Sequence, residues 1–162
     1  IEHTVIFLYN PSYMSIENAI RQKNFRNEYQ KATANILYTH NWLLERIKNF
    51  MSGENITLQQ YNILRILKNS DEPLSTMQIR EKMIDKMSDT SRIVDRLLLK
   101  ALVQKKIKET DKRLVDISIT PKGLEVLQKI DQLNSELDGI VSGIDTNEAQ
   151  MLNHLLDKIR RD

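Results

Sequence analysis

Cysteine is absent from the chain, and glycine and proline are scarce, with 4 and 3 residues among 162. The absence of cysteine excludes disulfides, thiolate metal sites and cysteine-based redox sensing. Few glycines and prolines predict a mostly helical chain with few loops. No stretch approaches the roughly 20 consecutive apolar residues that a membrane-spanning helix needs. With 40% apolar and 28% charged residues, the composition is typical of a soluble globular protein. We expect a cytoplasmic protein that needs neither a cofactor nor a metal.

The net charge of +2 hides an uneven distribution along the chain. Residues 75–122 carry 12 basic and 7 acidic side chains, whereas residues 123–162 carry 4 basic and 8 acidic ones. A basic middle third is typical of a surface that faces a polyanion. The alternative is a solvated charged surface with a chance asymmetry.

Helical periodicity dominates the first half of the chain. Apolar residues at close to 3.6-residue spacing predict one long helix from about Ile16 to Met51. Residues 1–13 precede this pattern and are left outside the fold as an extension of native or vector origin. A second helix begins at Thr57, where Gln60 completes a capping box.

The next two helices are close together in sequence. Ser75 and Gln78 form a second capping box, so a short helix is expected over 76–83, with Met77 and Ile79 available for burial. Ser88 is the expected N-cap of a fourth helix that runs to about Lys100. Its apolar positions form one broad core face and are Ile93, Val94, Leu97, Leu98, Ala101 and Leu102.

From Val103 onward the apolar period changes from 3.6 to 2, which predicts a two-stranded hairpin with a polar, basic tip over 110–113. Thr120 then caps a fifth helix with Pro121 at its first position, and this helix is expected to reach Gly143. Asp145 and Glu148 begin the last helix.

The order of these elements predicts a mainly α fold with a small β-hairpin. Helices three and four followed by a basic hairpin are typical of a winged helix-turn-helix, flanked here by long N- and C-terminal dimerisation helices. The expected boundaries are 14–56 for the N-terminal dimerisation helix, 57–122 for the DNA-binding domain and 123–162 for the C-terminal dimerisation helices.

The fourth helix has the dimensions and side chains to read the major groove of duplex DNA. Two arginines one turn apart project to the same side, and Asp95 or Asp111 is expected to steer one of them. The predicted contacts of this helix are Ser88, Asp89, Thr90, Ser91, Arg92 and Arg96. Alone, this pattern also fits a surface helix with solvated arginines.

The hairpin brings five cations together, and the predicted contacts are Lys105, Lys106, Lys108, Lys112 and Arg113. The lysines are expected to bind phosphates with strong salt dependence, and Arg113 to enter the narrow minor groove. Lysines also protect an exposed edge hairpin from aggregation, but the preceding helix favours DNA binding.

The segment 57–123 resembles the MarR family of bacterial regulators. The resemblance lies in the run 88–98 of the fourth helix, in Asp111-Lys112-Arg113 of the wing and in Ile119-Thr-Pro-Lys-Gly123, and it extends over about 19–161. It implies a homodimer with interlocked first, fifth and sixth helices, with Arg113 in the minor groove and Asp111 bracing an arginine. Residues 84–87 lack the glycine common in such turns.

We therefore expect a sequence-specific transcription regulator, most simply a repressor, that binds an inverted repeat as a homodimer. Pairing would also cover apolar helices that a single small domain cannot bury. Tyr38, Trp42 and Tyr61 are candidates for lining a pocket for a small aromatic effector, or are core and interface aromatics. No catalytic motif is present, so we expect no enzyme. The alternative is a helical protein–protein adaptor that uses a winged helix without reading DNA.

Overall fold

The computed structural model describes residues 14–107 and 115–161. The chain divides into two compact units after Glu45. The first unit contains α1 (Ile16–Ala19) and most of α2 (Glu28–Met51). The second contains the end of α2 and the elements that follow it, which are a short 3-10 turn (Ser52–Glu54), α3 (Leu58–Lys68), α4 (Thr76–Lys82), α5 (Thr90–Leu99), β1 (Val103–Ile107), β2 (Val115–Ile119), α6 (Pro121–Asp131), α7 (Asn134–Gly139) and α8 (Thr146–Ile159).

The expectation of one helix from Ile16 to Met51 is wrong, because the chain leaves the helix between α1 and α2. Arg21 adopts a left-handed φ of 54°, which is a common way for a helix to end. α2 then begins with its own cap, since the Asn27 side chain accepts a hydrogen bond from the Gln30 backbone N–H at 3.0 Å. Lys31 on α2 pairs with Glu17 on α1 at 2.6 Å and joins the two helices across the break.

The predicted helix starts in the second unit are mostly confirmed. Capping boxes begin α3 at Thr57, α4 at Ser75 and α8 at Asp145. Thr120 caps α6, with Pro121 in its first turn. Each cap joins groups only three residues apart, so these signals need no tertiary context.

The expected cap of α5 is wrong by one residue. Asp89, rather than Ser88, is the N-cap, and its Oδ1 accepts from the Arg92 backbone N–H at 3.2 Å. The Ser88 hydroxyl instead donates to the Asp85 carboxylate. A carboxylate is the better acceptor at a helix N-terminus, because it also interacts favourably with the helix dipole.

The expectation of one helix from Pro121 to Gly143 is also wrong. α6 ends at Asp131, and a turn at 132–133 separates it from α7. Asp131 contacts Arg65 and Lys68 of α3, and the sequence that follows, Asn134-Ser135, has low helix propensity. The helix therefore ends directly after Asp131, the residue that forms ion pairs with α3.

The predicted hairpin is confirmed, with β1 antiparallel to β2 in a register that pairs Val103 with Ile119 and Ile107 with Val115. Leu74, just before α4, adds a bridge to Ile117, with N···O distances of 3.0 and 2.8 Å. This bridge fastens the loop that follows α3 to the edge of the wing.

One apolar core lies between α3, α4, α5, α6 and the base of the hairpin. Its most deeply buried members include Ile63, Leu64, Ile79, Leu97, Ile117, Leu127 and Ile130. Met77, which was expected to be available for burial, is exposed, and so is Ala101 from the predicted core face of the fourth helix. Ala101 ends α5 in the left-handed region with a φ of 57°. In the part of the chain that the structure describes, we find no helix of the length and apolarity that crossing a membrane requires.

Candidate nucleic-acid interface

α5 has one buried and one exposed face, as its apolar spacing predicts. Val94 and Leu97 are fully buried, whereas Arg92 and Arg96 are exposed one turn apart. Ser91 is exposed in the first turn. The buried face anchors the helix on the core, so the arginine side is available to a ligand.

Thr90 lies on the wrong side of α5 for the contact that its position in the sequence suggested. It is only 4% exposed, and its hydroxyl donates to the Met83 sulfur at 3.4 Å. The prediction that the Thr90 side chain contacts DNA is therefore wrong. It instead packs the start of α5 against the end of α4.

Arg92 pairs with Asp89, which was not one of the two carboxylates expected to steer an arginine; of those two, Asp111 lies outside the described residues. The Arg92 Nε lies 3.1 Å from Asp89 Oδ2, while Asp89 Oδ1 caps the helix. Both carboxylate oxygens are thus occupied, and the guanidinium is held at the N-terminal end of α5. Both side chains are largely exposed, so the pair positions Arg92 without adding much stability.

Asp95 joins the wing to α5 instead of steering an arginine. Its Oδ1 accepts from Lys105 Nζ of β1 at 2.9 Å. Lys105 lies on the same face of β1 as the buried Val103, because alternate residues of a strand face the same side. Lys106 is exposed on the opposite face. The base of the wing therefore lies beside the exposed face of α5, and cations from both elements belong to one surface.

Four of the predicted contacts, Lys108, Asp111, Lys112 and Arg113, lie outside the described residues. Their roles at the wing tip stay predictions. The described strands on either side of this segment are paired as far as Ile107 and Val115.

The turn between α4 and α5 is held by side chains rather than by a glycine. Asn62 of α3 accepts from the Ile84 backbone N–H at 3.0 Å. Asp85 accepts from the Met87 backbone N–H at 3.1 Å and from the Ser88 hydroxyl. These hydrogen bonds, that from Ser88 foremost, lower the pKa of Asp85 below its usual value. Ser88, one of the predicted contacts, has its proton committed to Asp85 and is left only as an acceptor.

Residues beyond the predicted set share this surface. Gln59, in the first turn of α3, lines a groove together with Arg92 and Arg96. Arg80 and Met77 of α4, with Met87 of the turn, line a second groove beside Ser91. The basic end of α4, Arg80 and Lys82, was a signal that the first helix of a helix-turn-helix pair crosses the DNA backbone.

The three candidate pocket aromatics are distributed over both compact units. Tyr38 and Trp42 lie on α2 in the first unit, where Tyr38 is exposed and Trp42 is half-buried. Tyr61 belongs to the second unit. Its hydroxyl accepts from Arg65 Nε at 2.8 Å, and the guanidinium carbon lies 5.0 Å from the ring centroid. Tyr61 therefore supports the arginine that binds Asp131.

Comparisons with known proteins agree with this architecture. The MarR family model matches residues 56–115. The HTH-type transcriptional regulator MhqR of Bacillus subtilis (strain 168) is 28% identical over 102 residues, which are 62% of this chain and 69% of that protein.

Two solved structures share the fold. A cysteine-to-serine mutant of MarR from E. coli, complexed with operator DNA, has a TM-score of 0.75 at 19% identity and covers 86% of this chain and 100% of its own. The organohalide-sensing RdhR transcriptional regulator, in its 2,4-dichlorophenol-bound form, has a TM-score of 0.76 at 16% identity, with 86% of this chain and 85% of that chain covered.

Proposed function

Because the chain belongs to the MarR family of winged helix-turn-helix transcription regulators, we propose that it represses transcription by binding an inverted-repeat operator as a homodimer. In this proposal α5 enters the major groove, and the wing follows the backbone toward the adjacent minor groove. A dimer bound over a promoter excludes RNA polymerase sterically, which makes repression the expected sign of regulation. In vitro transcription from a promoter that carries the selected site tests that sign.

One observation carries the DNA-binding proposal, namely the contact between Asp95 of α5 and Lys105 of β1 at 2.9 Å. It brings Lys105, at the base of the wing, to the same side of the second unit as the exposed arginines of α5. A protein–protein adaptor has no need of such a combined cationic surface, whereas a polyanion with a groove as wide as an α-helix fits it.

The direct test is binding-site selection with the purified protein, followed by fluorescence anisotropy on the selected and on random duplexes at two salt concentrations. Arg92→Ala is expected to weaken binding to the selected site by about 1–3 kcal/mol and to relax the preference at one base position. Lys105→Ala should weaken binding to all sequences and lower the salt slope by about one.

Lys129→Ala is the matched control for both variants, because Lys129 is an exposed cation on α6, outside this surface. It should leave affinity and salt slope unchanged. Arg113→Ala tests the wing tip and should weaken binding most at A·T-rich flanks, where the minor groove is narrow. If the arginine and lysine variants bind as the wild type does, the interface has been misplaced, and an adaptor becomes the better interpretation.

The homodimer is supported by apolar side chains that each protomer leaves uncovered. α8 contains no buried residue. Met151, Leu152, Leu155 and Ile159 form one exposed stripe along it. Large contiguous apolar surfaces are rare on monomeric proteins, and a twofold pairing of helices would bury this one.

Introducing one charge into the stripe tests the dimer. Leu155→Glu should give a monomer in sedimentation equilibrium and should lose high-affinity binding to the inverted repeat, because each protomer then contacts only one half-site. Gln150→Glu introduces the same charge on the opposite side of α8 and should leave the dimer intact. Equal dimerisation of the two variants would mean that the stripe is not the interface.

We also propose that a small aromatic effector binds beside Tyr38 and Trp42 of α2 and releases the protein from DNA. The support is the 2,4-dichlorophenol bound to the structurally similar RdhR and the aromatic side chains themselves. Trp42 is the single tryptophan of the chain, so its fluorescence reports on this region directly. Titration with phenol and 2,4-dichlorophenol should change the fluorescence and release the operator over the same concentration range. If neither signal changes, the effector proposal fails while the DNA-binding proposal stands.

A further inference from the structure

Two large apolar side chains line an open groove beside the first turn of α5. Met77 of α4 is 72% exposed, and Met87 of the turn before α5 is 93% exposed. They share the groove with Arg80 and Ser91. We call this pair of methionines the methionine ledge. Because neither side chain contributes to the core of the protomer, the apolar surface of both is open to a partner.

The backbone under the ledge is fixed, although the side chains above it are solvated. The Met87 backbone N–H is bound by the Asp85 carboxylate, and the neighbouring Ile84 N–H by Asn62. On either side of this turn, Met83 and Thr90 are buried and hydrogen-bonded to each other. A partner that binds here meets a preformed surface, and the unbranched thioether side chains can adapt to its shape without ordering the backbone.

The charges around the ledge decide what kind of partner it fits. Arg80 lines the same groove, Lys86 precedes Met87 and is exposed, and Arg92 follows in the first turn of α5. Two carboxylates lie among these cations: Asp89 lines the groove and pairs with Arg92, and Asp85 binds the Met87 N–H. The three cations outnumber the two carboxylates, so this apolar surface matches a polyanion that also displays an apolar group at close range. The major groove of duplex DNA displays one such group on its base edges, the C5-methyl of thymine.

We propose that the methionine ledge reads thymine methyl groups in the operator, next to the bases that face Ser91 and Arg92. This inference rests on the proposed function, because it assumes that α5 enters the major groove. It assigns part of the sequence preference to apolar contacts rather than to arginine hydrogen bonds. Covering one methyl-sized group contributes about 0.8 kcal/mol, or roughly a fourfold change in the equilibrium constant.

Replacement of thymine by deoxyuridine tests the inference, because it removes only the methyl group. Each thymine of the selected operator is exchanged in turn, and affinity is measured by anisotropy. The wild type should lose roughly fourfold at one or two positions in each half-site. At one of these positions, Met77→Ala or Met87→Ala should bind the thymine duplex and the deoxyuridine duplex with equal affinity. Met87→Leu should keep the preference for thymine.

Leu99→Ala is the matched control, since Leu99 is an apolar residue in the last turn of α5 and is 89% exposed outside this groove. It should retain the full preference for thymine. Equal affinity of the wild type for all thymine and deoxyuridine duplexes overturns the methyl readout and leaves the proposed function intact. A preference that survives in both alanine variants also overturns it, since the methyl is then read elsewhere. Failure of the wild type to bind any selected duplex overturns the proposed function and this inference together.

Discussion

Replacing Gly123 by alanine should destabilise the second unit, although alanine is the better helix former. Gly123 lies in the first turn of α6, and a Cβ built there would lie 2.3 Å from the Leu102 carbonyl oxygen and 2.7 Å from Ile119 Cγ1. Ordinary carbon–oxygen contacts begin near 3.3 Å, so the helix or the strand must move by about 1 Å. The Leu102 oxygen cannot turn aside without losing its hydrogen bond from the Thr120 N–H, which is 3.1 Å long.

The magnitude follows from three contributions. Overpacking against backbone costs about 1–3 kcal/mol, and weakening one hydrogen bond costs about 1 kcal/mol. Alanine in place of glycine recovers about 1 kcal/mol of helix propensity. The net loss is about 2 kcal/mol, which lowers the urea midpoint by about 1 M for an m-value near 2 kcal/mol/M.

Gly139→Ala provides the control, because a Cβ at Gly139, the last residue of α7, meets no atom within 4 Å. It should leave the midpoint unchanged or raise it slightly. Both variants must be compared at one protein concentration, since the stability of a dimer depends on it. If the two substitutions shift the midpoint alike, then close approach of α6 to the start of the wing is not why glycine occupies position 123.

Of three further predictions, two concern charged residues and one concerns a strained backbone position. Hydrogen bonds from Arg65 lower the pKa of Asp131, so this pair should stabilise the fold by about 1–2 kcal/mol at pH 7 and lose that contribution as the pH falls below about 4. Asp131→Asn should lower the urea midpoint at pH 7. It should also make the difference between the midpoints at pH 7 and pH 3 smaller than in the wild type, and an unchanged difference would contradict the assignment. Ala101→Gly should raise the free energy of unfolding by about 1 kcal/mol, because the left-handed φ disfavours a Cβ, and a lower midpoint would contradict this. Asp95→Asn should strengthen binding to random duplexes, because it removes a negative charge beside the lysines; weaker binding would mean that the contact with Lys105 is needed to hold the wing.

The expectations that proved wrong concern residues whose partner is distant in sequence, or positions where two neighbouring residues suit the same role. Two adjacent polar residues, Ser88 and Asp89, both suit an N-cap. Asp89 caps α5, because the Ser88 hydroxyl is hydrogen-bonded to Asp85. Thr90 has the chemistry of a DNA contact, but the packing of α4 against α5 turns it toward Met83. The partner of Asp95 could not be predicted either, because Lys105 belongs to another element and comes within reach only in the folded protein.

The sequence alone determined the helix starts at Thr57, Ser75 and Asp145, the hairpin between Val103 and Ile119, and the excess of basic residues over 75–122. The caps join residues three positions apart, and the hairpin follows from the alternation of apolar and polar residues along two neighbouring strands, so these features can be predicted without knowing the tertiary structure. Tertiary structure decided which polar side chains of α5 face outward and how the wing lies against it, and it acted together with local signals where the predicted long helices break. Those outcomes depend on packing and ion pairs between elements that meet only in the folded protein, and a periodic pattern contains no information about which elements these are.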